Sequence, residues 1–410
     1  MIYSIKNEGS KINGVVHLPT SKSISNRLLI MSALSGNKLI PKGLSESDDT
    51  AVMLEILQSN SPEHNAGHAG TAMRFLTAYF ACLPGQIILT GSERMKNRPI
   101  KVLVDLLKEL GAQIEYVDKE GYPPLKITGG KLRGGKRTIN SEISSQYISA
   151  LLLIAPYLPG GLDLTLQGNM VSASYINLTL QLMKRAGIRY TWNKTNIKIE
   201  EGNYHSGLFH VEPDWSAASY WYEMVALCET SELFIPGLTS DSLQGDAALI
   251  SIFENLGVRT LFEETGISLL KSHNYSDFFE FDFTLNPDLV QSLVPTCVSL
   301  NIPFRFTGTQ TLRIKETDRI LALHNEMKKF GVKLVYPDSG EWIEWDGKTA
   351  FVAKDNVLIE TYDDHRMAMG FAPVCLKTGR IRINDPMVVT KSYPGFWEDL
   401  EKTGFIIDHF

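Results

Sequence analysis

Cysteine is scarce in this chain. Four stand in 410 residues, at Cys82, Cys228, Cys297 and Cys375, far apart and with no CxxC pair. That excludes a disulfide framework or a thiolate metal site, and reduced, buried thiols in a cytosolic protein are expected. The histidines lack HExxH spacing, so no metal site is expected. Neither a GxSxG elbow nor a GxGxxG dinucleotide loop occurs. Gly130-Lys-Leu-Arg-Gly-Gly-Lys-Arg137 comes close to a phosphate-binding P-loop, but Arg137 stands where Ser or Thr is needed. Lys136-Arg-Thr-Ile then reads as a strand, which leaves a glycine-rich turn. The longest apolar run, from Tyr147 to Leu158, is too short for a bilayer and reads as a core helix. The opening residues show no signal-peptide h-region, so a cytoplasmic protein outside the membrane is expected. Positive charge is also in short supply. Lys plus Arg number 40 against 46 Asp plus Glu, a net charge of -6, which argues against a nonspecific nucleic-acid binder. Any anion site must then be a local cluster of cations.

What is present is an ordinary globular composition, 43% hydrophobic and 21% charged, at a length that suggests two or three domains. One pattern recurs: Leu106-Leu-Lys-Glu-Leu-Gly-Ala-Gln-Ile, Leu182-Met-Lys-Arg-Ala-Gly-Ile-Arg-Tyr, Ile252-Phe-Glu-Asn-Leu-Gly-Val-Arg-Thr, Met327-Lys-Lys-Phe-Gly-Val-Lys-Leu and Leu400-Glu-Lys-Thr-Gly-Phe-Ile-Ile. Leu54-Glu-Ile-Leu-Gln-Ser-Asn is a degenerate sixth copy. Each reads as a helix, a glycine just beyond it and a strand, at a period of roughly 70–76 residues. Six such α/β units fit three per globular domain better than an open solenoid. Connections near 18–21 and near the proline in Val211-Glu-Pro-Asp-Trp give a first domain of 21–213 and a second of 1–20 plus 214–410.

Chemistry gathers at helix starts. Ser21-Lys-Ser-Ile-Ser-Asn-Arg27 opens a helix whose apolar stripe is Ile24, Leu28 and Met31; Ser23 and Arg27, four apart, share a face. Free N–H groups there, with Lys22 and Arg27, favour an anion; plain capping with solvated cations is the alternative. Gly67-His-Ala-Gly-Thr-Ala-Met-Arg74 and Ser144-Ser-Gln146 repeat that grammar. Arg98 precedes a proline and should be extended. In Lys315-Glu-Thr-Asp-Arg319, the buried stripe is Ile320, Leu323, Met327 and Phe330; Glu316 is either a surface i,i+3 partner of Arg319 or an acid/base among cations. Asp364-His-Arg366 reads as another helix start, Lys391 as a solvated lysine and Asp288 as an N-cap.

Taken together and in order, Ser21-Lys-Ser-Ile-Ser-Asn-Arg, Ala69-Gly-Thr-Ala-Met-Arg, Arg98-Pro-Ile, Ser144-Ser-Gln, Ile314-Lys-Glu-Thr-Asp-Arg, Asp364-His-Arg-Met-Ala-Met and Lys391-Ser-Tyr-Pro resemble the motifs of the 5-enolpyruvylshikimate-3-phosphate synthases, an enolpyruvyl transferase family. The resemblance implies an α/β fold of two similar domains, each of three βαβαββ repeats forming an inside-out α/β barrel, with the active site in the interdomain cleft and closure on substrate. It implies a transferase that moves the enolpyruvyl group of phosphoenolpyruvate to shikimate 3-phosphate, with release of phosphate and no cofactor. The acidic net charge argues against a nucleic-acid partner, and a monomer is the default expectation.

Carried over by motif, Ser23 and Arg27 would hold the shikimate carboxylate. Ser144, Ser145 and Ser172 would hold the 3-phosphate, with Tyr175 beside the ring and Asp288 and Lys315 at its hydroxyls. Lys22, Gly70, Arg98, Gln146 and Lys391 would surround the other phosphate, Lys22 and Gln146 also reaching shikimate 3-phosphate. Arg319 and Arg366 would grip the phosphoenolpyruvate carboxylate, and Lys22, Asp288, Glu316 and His365 would be the catalytic candidates. His68, the pair Ala173-Ser174 and Thr311 depart from the family pattern. The physical demand is clear. Each substrate carries about three negative charges, and one like-charge pair at 4 Å costs about 4 kcal/mol at an effective dielectric near 20. Rival readings are a UDP-N-acetylglucosamine enolpyruvyl transferase, disfavoured because no cysteine lies near 94–98, an RNA-phosphate cyclase, and a binding protein without catalysis.

Overall fold

The computed structural model describes residues 1–140, 144–168 and 170–410. It divides into two compact units, Thr20–Val211 and Met1–Pro19 with Glu212–Phe410. Each is built of three α/β repeats, and the repeat is plainest in the middle of the first unit. Strand Glu63–Asn65 leads into helix Gly70–Cys82, then strand Gly85–Thr90, helix Lys101–Glu109 and the hairpin of Gln113–Tyr116 and Leu125–Gly129. The first two strands pair in parallel across their helix, and the hairpin adds antiparallel to the second. Gly135–Asn140, Leu162–Gln167, Asn196–Ile199 and Tyr190–Asn193 repeat that order around helices Ser145–Ile154 and Ala173–Arg185. The first repeat is reduced to helices Lys22–Leu34 and Asp48–Gln58 and a parallel pair, Leu39–Lys42 with Gly207–His210.

The second unit uses the same plan. Its first repeat joins strand Lys11–Val15 in parallel to Thr230–Pro236, which then pairs with the hairpin of Leu256–Glu263 and Gly266–Tyr275. The whole of Thr20–Val211 is inserted between that first strand and its helix, Trp215–Leu227. The second repeat holds strands Phe279–Asp282, Phe304–Thr307 and Trp342–Trp345 with helices Val290–Ser299 and Arg319–Lys329. The third closes with Ile2–Lys6, which lies between Arg380–Asn384 and Ile406–His409. The sheets are separate, and none of those described closes on itself, so the expected barrel is an arrangement of open sheets around helices.

The first helix of each repeat is the buried one. Ser145–Ile154, Trp215–Leu227 and Val290–Ser299 are buried from end to end apart from Gln146 and Ser216, and the Lys22, Gly70 and His365 helices nearly so. Such helices are apolar all round, with small Ser, Thr and Ala where neighbours approach. The run from Tyr147 is thus a core helix. The five repeat glycines all stand just past a helix with φ between +82° (Gly257, Gly331) and +109° (Gly111), the left-handed turn that glycine takes without strain. The degenerate copy has Ser59 there, at φ -88°, and its helix ends without that turn. The four thiols are free, and all but Cys82 are buried. No described helix is long and apolar enough to cross a membrane.

Candidate active site

In an α/β repeat, a helix that follows a strand starts at the strand's C-terminal end, with free N–H groups facing outward. Almost every residue singled out by motif lies at such a start. In Thr20–Val211, Lys22 and Ser23 begin the first buried helix, Gly70 the second and Ser145 the third, while Arg98 and Ser172 precede the outer helices.

Arg27 is 3% exposed. Its guanidinium donates through Nε to Thr179 Oγ1 (2.7 Å), through Nη1 to the Ser23 carbonyl (2.8 Å), and through Nη2 to Ser149 Oγ (3.2 Å) and the Tyr175 carbonyl (3.1 Å). Phe75 and Tyr175 flank it, with ring centroids 5.4 and 5.9 Å from its central carbon. All of these partners are neutral. Burial pulls its pKa down to about 10, so it stays charged at neutral pH. The capping alternative with solvated cations therefore fails: Ser21 makes no cap, Arg27 is buried and Lys22 pairs with Asp49 at 3.3 Å.

A second group forms around Gly70. A Cβ there would come within 2.7 Å of Arg98 Nη1, so Gly70 lets that guanidinium lie against the helix start. Arg98 is extended, at φ -95° and ψ 123°. Its loop is pinned by Tyr147 Oη on the Pro99 carbonyl (2.5 Å) and by Arg74, buried, which donates to the Gly70 and Pro99 carbonyls. Gln146 Nε2 donates to Thr71 Oγ1 at 3.2 Å, tying the Ser145 and Gly70 helix starts together. Ser144 does cap, accepting from the Gln146 N–H at 3.3 Å. Ser172 is buried in the left-handed region (φ +54°) just before Ala173. His68 Nδ1 meets Ser92 Oγ at 3.1 Å.

The other unit is built differently. Arg319, 1% exposed, meets three carboxylates: Asp364 (2.7 Å), Asp288 (2.8 Å) and Glu316 (2.8 Å). Burial alone would weaken its charge, but Asp364, Glu316 and Asp288 outweigh that and raise its pKa. Glu316 is thus an i,i+3 partner, though of a buried cation rather than a surface one. Asp288 is no N-cap: it sits in the single turn Pro287–Leu289 and its carboxylate faces Lys315 (3.4 Å), Arg319 and Arg366 (3.5 Å). Arg366 also donates to the Asp288 carbonyl (3.1 Å) and Tyr220 Oη (3.4 Å). Asp364 caps its helix by accepting the Arg366 N–H at 2.9 Å. His365 is buried, its Nδ1 3.8 Å from Asp364. Lys391 Nζ is not merely solvated; it donates to the Asp363 carbonyl at 2.6 Å.

Sequence reasoning missed Arg74, Asp49, the second role of Asp364, and Asp246. Asp246 is buried, accepts from Ser216 Oγ and from Asn286 Nδ2 (3.2 Å), and has a pKa raised to about 6 by burial and by the Asp288 charge. It stands before the second helix of its repeat, the position Ser172 and Lys315 hold in theirs, so alignment of the repeats was the signal that would have found it. No group of three or more His, Cys, Asp or Glu residues suited to a metal occurs among the described residues.

Guanidinium, ammonium and hydroxyl groups at helix starts, beside parallel strands, define an α/β protein that handles small, highly charged anions. The chain matches the family described as EPSP synthase (3-phosphoshikimate 1-carboxyvinyltransferase) over residues 6–61 and 58–400. It belongs to that family. It is 50% identical over 397 residues to a 3-phosphoshikimate 1-carboxyvinyltransferase of Bacteroides fragilis, covering 97% of this chain and 96% of that one. A relative of the same name from Sulfurovum sp. is 35% identical over 419 residues, 95% of this chain and 96% of that one. A solved EPSP synthase from Acinetobacter baumannii superimposes with a TM-score of 0.78 at 21% identity, over 100% of both chains, a likeness of fold.

Proposed function

We propose that this protein transfers the enolpyruvyl group of phosphoenolpyruvate to the 5-hydroxyl of shikimate 3-phosphate, as a cytoplasmic transferase of aromatic amino-acid synthesis. The observation that carries this reading is 50% identity along nearly the whole length of a relative with that name. Arg27 and Ser23 take the shikimate carboxylate, and Ser144, Ser145 and Ser172 its phosphate, with Tyr175 at the ring. A buried cation with only neutral partners supports an anion at Arg27. Lys22, Gly70, Arg98, Gln146 and Lys391 take the phosphate of phosphoenolpyruvate. Arg319 and Arg366 take its carboxylate, with His365 alongside.

The reaction proceeds by addition and elimination. The 5-hydroxyl oxygen bonds to C2 of phosphoenolpyruvate while C3 gains a proton, and the hydroxyl proton passes to the Asp288 carboxylate, with the Lys22 ammonium beside the hydroxyl oxygen. The tetrahedral intermediate then loses a C3 proton and its C2–O bond to phosphate, restoring the double bond. Glu316 is the group for proton traffic at C3, since the Arg319 guanidinium holds its carboxylate in place. Lys315 and Asp288 contact the ring hydroxyls. Release of inorganic phosphate on mixing the purified protein with both substrates tests the reading. Phosphate must appear only when both are present; none at any concentration, or release with UDP-N-acetylglucosamine instead, overturns it.

A further inference from the structure

The turn before Asp364 is strained. Tyr362 (φ +54°) and Asp363 (φ +56°) are consecutive, neither is glycine, and both are left-handed. Such a pair persists only where its surroundings hold it. Here the holder is one face of helix Arg319–Lys329. Arg319 and Glu326 are seven residues apart, two turns along that face. Glu326 is fully buried; its Oε1 accepts from Tyr362 Oη at 2.7 Å, and its Oε2 from the Glu360 N–H at 3.2 Å and Lys329 Nζ at 2.5 Å. On the far side of the strained pair, Arg319 grips Asp364 at 2.7 Å. The turn is therefore clamped at both ends by a single helix.

Three cations take their place from this turn. Lys391 Nζ rests on the Asp363 carbonyl, Arg366 on the helix that Asp364 caps, and Arg319 on the Asp364 carboxylate. Burial and the Glu326 acceptor raise the Tyr362 pKa, so its hydroxyl remains a donor across the working pH range.

We propose that Tyr362, latched by Glu326, is a positioning residue for phosphoenolpyruvate: it keeps the Tyr362–Asp363 pair left-handed and so sets the spacing of Arg319, Arg366 and Lys391. This rests on the reading of those three cations as phosphoenolpyruvate ligands. Neither Tyr362 nor Glu326 touches substrate.

Steady-state kinetics and thermal melting of Y362F, D363G, Y362F/D363G and R366K in the full chain test it. Y362F should raise KM for phosphoenolpyruvate about tenfold, the loss of one well-made buried hydrogen bond, with KM for shikimate 3-phosphate within about twofold of the parent. D363G should behave as the parent, because glycine takes φ +56° without a holder. The double variant should recover part of that loss, because glycine relieves the strain at 363 and leaves only residue 362 to be held, and a merely structural tyrosine would allow no recovery. Should Y362F not fold, E326Q takes its place, since it weakens the same bond. Equal changes in both KM values, no change in either, or no recovery in the double variant overturns the proposal. R366K separates the two layers of inference. If it raises KM for phosphoenolpyruvate while Y362F does not, only the latch fails; if R366K leaves that KM unchanged, the assignment of the cations fails.

Discussion

Arg27, in the second turn of its helix, and Arg319, the first residue of its own, are both buried guanidinium groups, and their surroundings are opposite. Arg27 sees hydroxyls, carbonyls and two aromatic rings, and burial lowers its pKa. Arg319 sees three carboxylates, and their charge raises its pKa. A buried cation without a counter-ion is costly until an anion arrives. A buried cation ringed by acids is already neutralised, and an incoming carboxylate must share it. The first site is therefore suited to capture. Under the proposed assignment the second is suited to chemistry, because two of the acids that neutralise it, Glu316 and Asp288, are the proposed proton carriers.

Glu316→Gln attacks the second half of that contrast and should have the largest effect. Glutamine keeps an acceptor for Arg319 but carries no titrating proton, so kcat should fall by about 10²–10⁴-fold with both KM values little changed. Near-normal turnover would remove Glu316 from the mechanism. Arg27→Lys attacks the first half. Lysine keeps the charge but cannot reproduce the four-bond fork to Thr179, Ser23, Ser149 and Tyr175, so KM for shikimate 3-phosphate should rise by about 10–100-fold. Thermal stabilisation by that ligand should shrink in step, and parent-like binding would contradict the capture reading.

The smallest effect sharpens the acid-rich side. Asp246 faces Asp288, Arg366, Ser216 and Asn286, and its pKa is raised from 3.8 to about 6. The folded protein then binds more protons than the unfolded chain between these values. The stability this group confers is full below 3.8 and lost as pH rises through 6. A shift of this size is worth about 3 kcal/mol, and the acceptor for Ser216 lost in Asp246→Asn offsets about 1 kcal/mol of it. Denaturant melts from pH 4 to 7 should show Asp246→Asn gaining about 2 kcal/mol on the parent across that window. Parallel curves would mean that Asp246 keeps an ordinary pKa.

Much of the architecture was legible in the chain. Gly111, Gly187, Gly257, Gly331 and Gly404 mark helix ends because only a left-handed turn fits there. The stripes at Ile24, Leu28 and Met31 and at Ile320, Leu323, Met327 and Phe330 are buried as their spacing requires. The cations were legible too, since few other reasons place Lys and Arg at the mouths of apolar helices. Their counter-ions were not. Asp288 and Asp364 read as helix-start residues, where capping is the ordinary role, and Asp49 and Asp246 carried no local signal. Which carboxylate faces which guanidinium is set by packing between repeats, and no local pattern encodes it. The latch from Glu326 to Tyr362 was invisible for the same reason.

The insertion of Thr20–Val211 has a consequence for biosynthesis. Strand Lys11–Val15 leaves the ribosome early, but the Glu232 N–H that donates to Asn13 Oδ1 follows 219 positions later. An entire three-repeat body is made in between. The amino-terminal edge therefore waits unpaired while the inserted body matures, and the Asp214 N–H closes on the Pro19 carbonyl at 2.9 Å only when the chain returns. Nascent chains halted before residue 230 should carry that strand as an orphan, open to chaperones and proteases.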